Sequence, residues 1–130
     1  MYATVSEVQV EVHPDRWRRG RYRVEVSAYL DRDADEVDAG LRRLGYEPID
    51  INQWGRSYHH RHEAQQTAEL DDVEDRYASA RLVLARGDLD PADIDHAEDE
   101  LREMYDQVCR PLWRGRDEDA SEAVPLAYRI

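Results

Sequence analysis

The chain contains no lysine, no phenylalanine and only one cysteine, Cys109. Without lysine there is no phosphate-binding P-loop and no Schiff-base amine. A single cysteine excludes an internal disulfide framework and a cysteine-based zinc cluster. No apolar run approaches the ~18 residues that a membrane-crossing helix needs, so no membrane contact is expected. The first residues lack a basic stretch followed by an apolar one, so no secretory signal is expected and the setting read from the chain is cytoplasmic. Neither G-x-G-x-x-G nor G-x-S-x-G occurs. No motif names a reaction, so the expectation is a protein without enzymatic activity and without a cofactor.

Leucine, isoleucine and valine together supply only 25 of 130 residues. With a high net charge, so few aliphatic residues lie at the edge of the disordered class. The periodicity of those that are present argues for a folded chain. A length of 130 residues suits one domain, 1–130, with a two-layer core.

Alternation marks the first half. Val8, Val10 and Val12 share one face of a strand over 3–12, opposite Glu7, Gln9 and Glu11. Residues 21–30 repeat the pattern, with Tyr22, Val24, Val26, Ala28 and Leu30 inward. The linking HPDRWRRG holds Pro14, Asp15 and Gly20, which predicts a hairpin with a long loop. Ala34, Val37, Leu41 and Leu44 then recur at helical spacing, with Asp33 or Asp35 at the N-cap and Gly45 at the C-terminal stop. Ile49 and Ile51 alternate within a further strand over 48–53. Residues 1–54 thus read as a ββαβ half.

Residues 55–62 read as a polar connector, and the remainder as helical. Leu70, Val73, Tyr77, Ala80 and Leu84 follow three-four spacing over Glu63–Arg86, with Gly87 as the stop. Leu82 and Val83 fall outside that stripe, as extra packing or an intermolecular contact. Ile94, Ala97, Leu101, Met104, Tyr105, Val108 and Leu112 continue the spacing after Asp90-Pro91, a favoured helix start. The short joint predicts an antiparallel helical hairpin over 63–112. Residues 113–130 read as a linker and an edge strand, Val124–Ile130. Trp54 and Trp113 read as rims of the core. The expected class is α+β: a small, mainly antiparallel sheet packed with a two-helix hairpin.

Charge supplies the functional argument. The chain has 30 acidic residues against 18 arginines, a formal charge of −12. Residues 63–106 alone carry 15 acids and 4 arginines. Asp95, Asp99, Glu103 and Asp106 form a stripe opposite the apolar one, and Asp71, Asp72 and Asp75 are placed likewise on the preceding helix. Two such helices, ~30 Å long, would approach the charge density of duplex DNA. These seven residues are therefore the expected binding site for a basic partner protein, one that itself binds nucleic acid. The expected function is an inhibitor that imitates nucleic-acid charge. Phage-encoded inhibitors of host defence, anti-CRISPR and anti-restriction proteins among them, are comparable in size and charge, although no motif of theirs is matched here.

Other readings compete. One is an acidic assembly subunit, homo-oligomeric and adapted to salt, joined through Val124–Ile130 or Leu82–Val83. Another is a metal site in which His59, His62 and Glu63 meet on one helical turn. His96 and Glu100 share the same spacing with less support. Arg16, Arg18, Arg19, Arg21 and Arg23, interleaved with Trp17 and Tyr22, offer a nucleic-acid grip. The net charge favours charge pairing or simple solvation of these arginines, so direct nucleic-acid binding is not expected. Cys109 reads as a small buried apolar residue.

Overall fold

A computed structural model describes residues 6–120 of the chain. Its elements are β1 (Gln9–Pro14), β2 (Tyr22–Leu30), α1 (Ala34–Arg43), β3 (Tyr46–Asn52), β4 (Gly55–His60), β5 (Gln66–Asp72), β6 (Ala80–Leu89), a 3-10 turn (Pro91–Asp93) and α2 (Ile94–Ala120). The six strands form one sheet in the order β1-β2-β6-β5-β4-β3, with every neighbouring pair antiparallel. Both helices cover the same face. The protein is α+β, as composition and alternation indicate.

The first half follows its pattern closely. Val24, Val26, Ala28 and Leu30 of β2 are buried against the helices, while Arg23, Glu25 and Tyr29 point to the other face. The Asp33 carboxylate accepts the Glu36 N–H at 3.0 Å and caps α1. Gly45 ends the helix with φ +99°, where a side chain would be strained. β2 and β3 run in the same direction, but three strands separate them, so α1 crosses most of the sheet.

The second half departs from the expected helical hairpin. Glu63–Arg86 is not a helix, since it forms β5, a turn and most of β6. Residues 55–60, read as part of a connector, are β4. Gly87 stops nothing: it lies inside β6, and its N–H donates to the Gln65 carbonyl at 2.9 Å. Residues 80–89 are central in the sheet, with both neighbours paired and most side chains buried. That burial explains Leu82 and Val83, which face opposite sides of β6 and are not an intermolecular patch. The turn between β5 and β6 is closed by the Asp75 carboxylate, which accepts from Tyr77 N–H at 2.7 Å and Ala78 N–H at 3.0 Å. Tyr77 is consequently 67% exposed rather than part of a buried stripe.

β3 is also a correction in detail. Ile49 and Ile51 are 60% and 58% exposed, because β3 is an edge strand and a bulge between Pro48 and Asp50 breaks its alternation. Trp54, expected at the core rim, stands 75% exposed at the β3–β4 turn. α2 continues through Ala120 and so takes in part of the expected linker. The Val124–Ile130 strand and the packing of Trp113 lie outside the described residues and side chains.

α2 packs through Ala97, Leu101, Tyr105, Val108 and Cys109, all buried. The Tyr105 hydroxyl reaches two strands at once, lying 2.9 Å from the Leu82 carbonyl and 3.2 Å from that of Ala28. Near the far end of the sheet the buried Arg32 guanidinium donates to Asp31 Oδ1 at 2.9 Å and to the Leu112 carbonyl at 3.3 Å. Gly40 lets α1 approach α2, since a Cβ there would stand 3.2 Å from Val108 Cγ1. These contacts fix which face of α2 is turned to solvent.

Candidate functional site

The rotation of α2 decides which carboxylates are presented. Burial of Ala97, Leu101 and Tyr105 turns Asp95, Asp99 and Glu103, two residues before each of them, to the outside. These three are exposed at successive four-residue steps, and exposed Asp93 precedes them. No ion pair engages the four among the described residues. Glu98 is instead tied to Arg102 at 3.0 Å, Glu100 lies 3.2 Å from His96 Nε2, and Asp106 is paired with Arg110.

The remaining members of the expected site are elsewhere. Asp71 points from β5 to the uncovered face, opposite Arg81 in register, and packs beside Gly55. Asp72 and the turn-forming Asp75 are exposed at the β5–β6 turn. That turn and the start of α2 lie at opposite ends of β6, a ten-residue strand about 30 Å long at ~3.3 Å per residue. The seven carboxylates thus do not form one ridge. Asp95, Asp99 and Glu103 share one, Asp106 is neutralised beside it, and Asp71, Asp72 and Asp75 are separate. The comparison with duplex charge density over two helices falls with the hairpin.

The metal candidates of the connector are not brought together either. β4 is a strand, so His59 and His60 face opposite sides. His59 lies 3.8 Å from Glu47 on the open face, whereas His60 Nε2 is 2.9 Å from the Leu44 carbonyl beside α1. His62 sits past the strand end, and Glu63 lies 3.6 Å from Arg86.

The arginine-rich loop is largely satisfied within the chain. Arg18 lies 3.1 Å and Arg21 3.5 Å from Asp88, Arg21 also 2.9 Å from Asp90, and Arg23 2.9 Å from Glu25. Asp88 holds φ +57° at the end of β6, opposite the bulge in β2. The charge pairing expected of this loop is thus with the β6 end rather than with a helix.

Cys109 is 1% exposed. Burial, and secondarily the carboxylates of Asp106 and Asp31, push its thiol up to about 12. A nucleophile needs a lowered value, so this cysteine acts in packing.

One feature had no sequence signal. A cleft of about 370 Å³ opens between α2 and the β5–β6 ladder, lined by Glu63, Gln66, Arg86, Glu103, Met104 and Gln107 among others. Arg86 occupies a position on β6 that faces the helices, and its Nε is buried with no hydrogen-bond acceptor among the described residues. Gln66 Nε2 donates to the Tyr46 hydroxyl at 3.2 Å. Glu103 belongs both to this cleft and to the outer stripe of α2.

No protein-family model, curated protein or solved structure matches the chain.

Proposed function

We propose that the protein is a non-enzymatic binding protein that sets the outer stripe of α2 against a basic protein surface built to hold nucleic-acid phosphates. The observation that carries this is the row Asp95, Asp99 and Glu103, exposed and without paired cations among the described residues. The row spans eight helical steps, or about 12 Å at 1.5 Å per residue. One DNA strand carries roughly three to four phosphates over that distance. The match is therefore to one strand's charge rather than to a duplex. A chain of charge −12 repels nucleic acid itself and favours encounter with cationic surfaces.

In this reading the protein works in the cytoplasm as an inhibitor. The class it suits is the acidic anti-defence protein directed at CRISPR or restriction nucleases; size and charge support that last step. The test is competition. The immobilised chain is presented with the heparin-retained proteins of its host lysate, and a bound protein is challenged with duplex and single-stranded DNA. Release by DNA supports the reading. A retained complex that binds DNA and this chain together refutes it.

A second reading rests on the β3 edge. Ile49, Ile51 and Trp54 are exposed along and beside a strand whose outer edge has no partner among the described residues, which is a surface for self-association by strand addition. Sedimentation of the wild type and of Ile51→Arg separates the two. Assembly predicts an oligomer that the substitution dissolves, and a concentration-independent monomer removes it.

A further inference from the structure

On the face of the sheet away from both helices, β1 and β2 bring two carboxylates and an imidazole together. Glu11 and Glu25 are directly opposite in register, and His13 is the next outward residue along β1. Like charges opposite one another on paired strands repel. Here the imidazole sits between them: His13 Nε2 is 2.9 Å from Glu11 Oε1 and 3.8 Å from Glu25 Oε1. One ligand atom from each residue falls within 4.8 Å of the other two. A tetrahedral zinc ion with bonds of about 2.0–2.1 Å places its ligand atoms about 3.3 Å apart. The two distances from His13 bracket that edge, and the two carboxylates offer oxygens within 4.8 Å of each other.

Arg23 adds an independent element. Its Nε holds Glu25 Oε2 at 2.9 Å, leaving Oε1 turned to His13. That is the arrangement in which an outer group orients a ligating carboxylate. The three ligands sit on adjacent paired strands, a more rigid support than a loop. We propose that Glu11, His13 and Glu25 bind a divalent ion of the zinc type, with solvent completing the coordination. One imidazole with two carboxylates suits Zn²⁺ or Co²⁺, whereas Mg²⁺ and Ca²⁺ prefer oxygen alone. The site is on the opposite face from the α2 stripe and does not depend on the binding function proposed above.

The experiment uses the full chain without a histidine tag, titrated calorimetrically with Zn²⁺ alone and spectroscopically with Co²⁺. One equivalent should bind, with tetrahedral cobalt bands that Zn²⁺ bleaches and excess Mg²⁺ leaves intact. His13→Asn and Glu25→Gln should each lower affinity at least tenfold, and His96→Ala should leave it unchanged. All three substituted residues are exposed or partly exposed, so circular dichroism should report a folded chain in every variant. No binding by the wild type, binding that survives His13→Asn, or binding lost in His96→Ala overturns the proposal.

Discussion

Replacing Tyr105 with phenylalanine tests how α2 is held. The Tyr105 hydroxyl is buried between two strands, within 2.9 Å of the Leu82 carbonyl and 3.2 Å of the Ala28 carbonyl. Phe keeps the ring and its contacts with the core but removes the hydroxyl donor aimed at those oxygens. A buried hydrogen bond of this kind is worth about 1 kcal/mol net, and the exposed need of the acceptors adds to the cost, so about 1–2 kcal/mol should be lost. For a chain of this size that corresponds to a fall in Tm of roughly 3–8 °C. In urea the midpoint should fall by about 0.5–1 M with an unchanged slope, taking a slope of about 2 kcal/mol/M. Ultraviolet absorbance should show one tyrosine fewer that resists ionisation, because burial raises the Tyr105 phenol well above its ordinary value. A phenylalanine variant as stable as the parent would mean that α2 does not sit on β2 and β6 in this way, and the orientation of its acidic stripe would fall too.

Other expectations follow from the same packing. Cys109, buried and with its thiol pushed up to about 12, should react with a thiol reagent at pH 8 only after denaturation; rapid labelling of the native chain would contradict its burial. Tyr46, Tyr58, Tyr105 and Cys109 all have values raised in the folded state, chiefly by burial. The unfolded chain therefore loses these protons first, so their contribution is complete below about pH 9 and declines as pH rises beyond it. Urea midpoints should accordingly fall from pH 9 to 11, and a flat profile would refute this. Gly45→Ala should cost about 1–3 kcal/mol, because φ is +99° and the new Cβ would stand 2.9 Å from His60 Nε2. An unchanged melting temperature would sink that account of the α1 stop.

Sequence patterns revealed the fold unevenly, and the reasons are physical. Val24, Val26, Ala28 and Leu30 alternate cleanly because β2 has one buried face and one polar face. β6 lies in the middle of the sheet, and Leu82, Val83, Leu84 and Ala85 are all buried, so the run loses its period of two. Leu70, Val73, Tyr77, Ala80 and Leu84 then mimic a helical stripe by chance of spacing. The turn that separates the strands contains neither glycine nor proline, since Asp75 closes it through its own carboxylate. By contrast, the α2 stripe was legible because Ala97, Leu101, Tyr105 and Val108 do line a helix packed on one side. The grouping of Glu11, His13 and Glu25 depends on the register of β1 against β2, which no local pattern specifies. The Arg86 cleft depends likewise on the pairing of three distant segments.

The most direct measurement of the central claim is capture of a basic partner by the wild type and by the triple variant Asp95→Arg, Asp99→Arg, Glu103→Arg. The account predicts that the variant keeps its melting temperature within about 6 °C, as three exposed substitutions of up to about 0.5 kcal/mol each should, and retains no partner even at low salt. A variant that is folded and captures the same protein as strongly as the parent would contradict it.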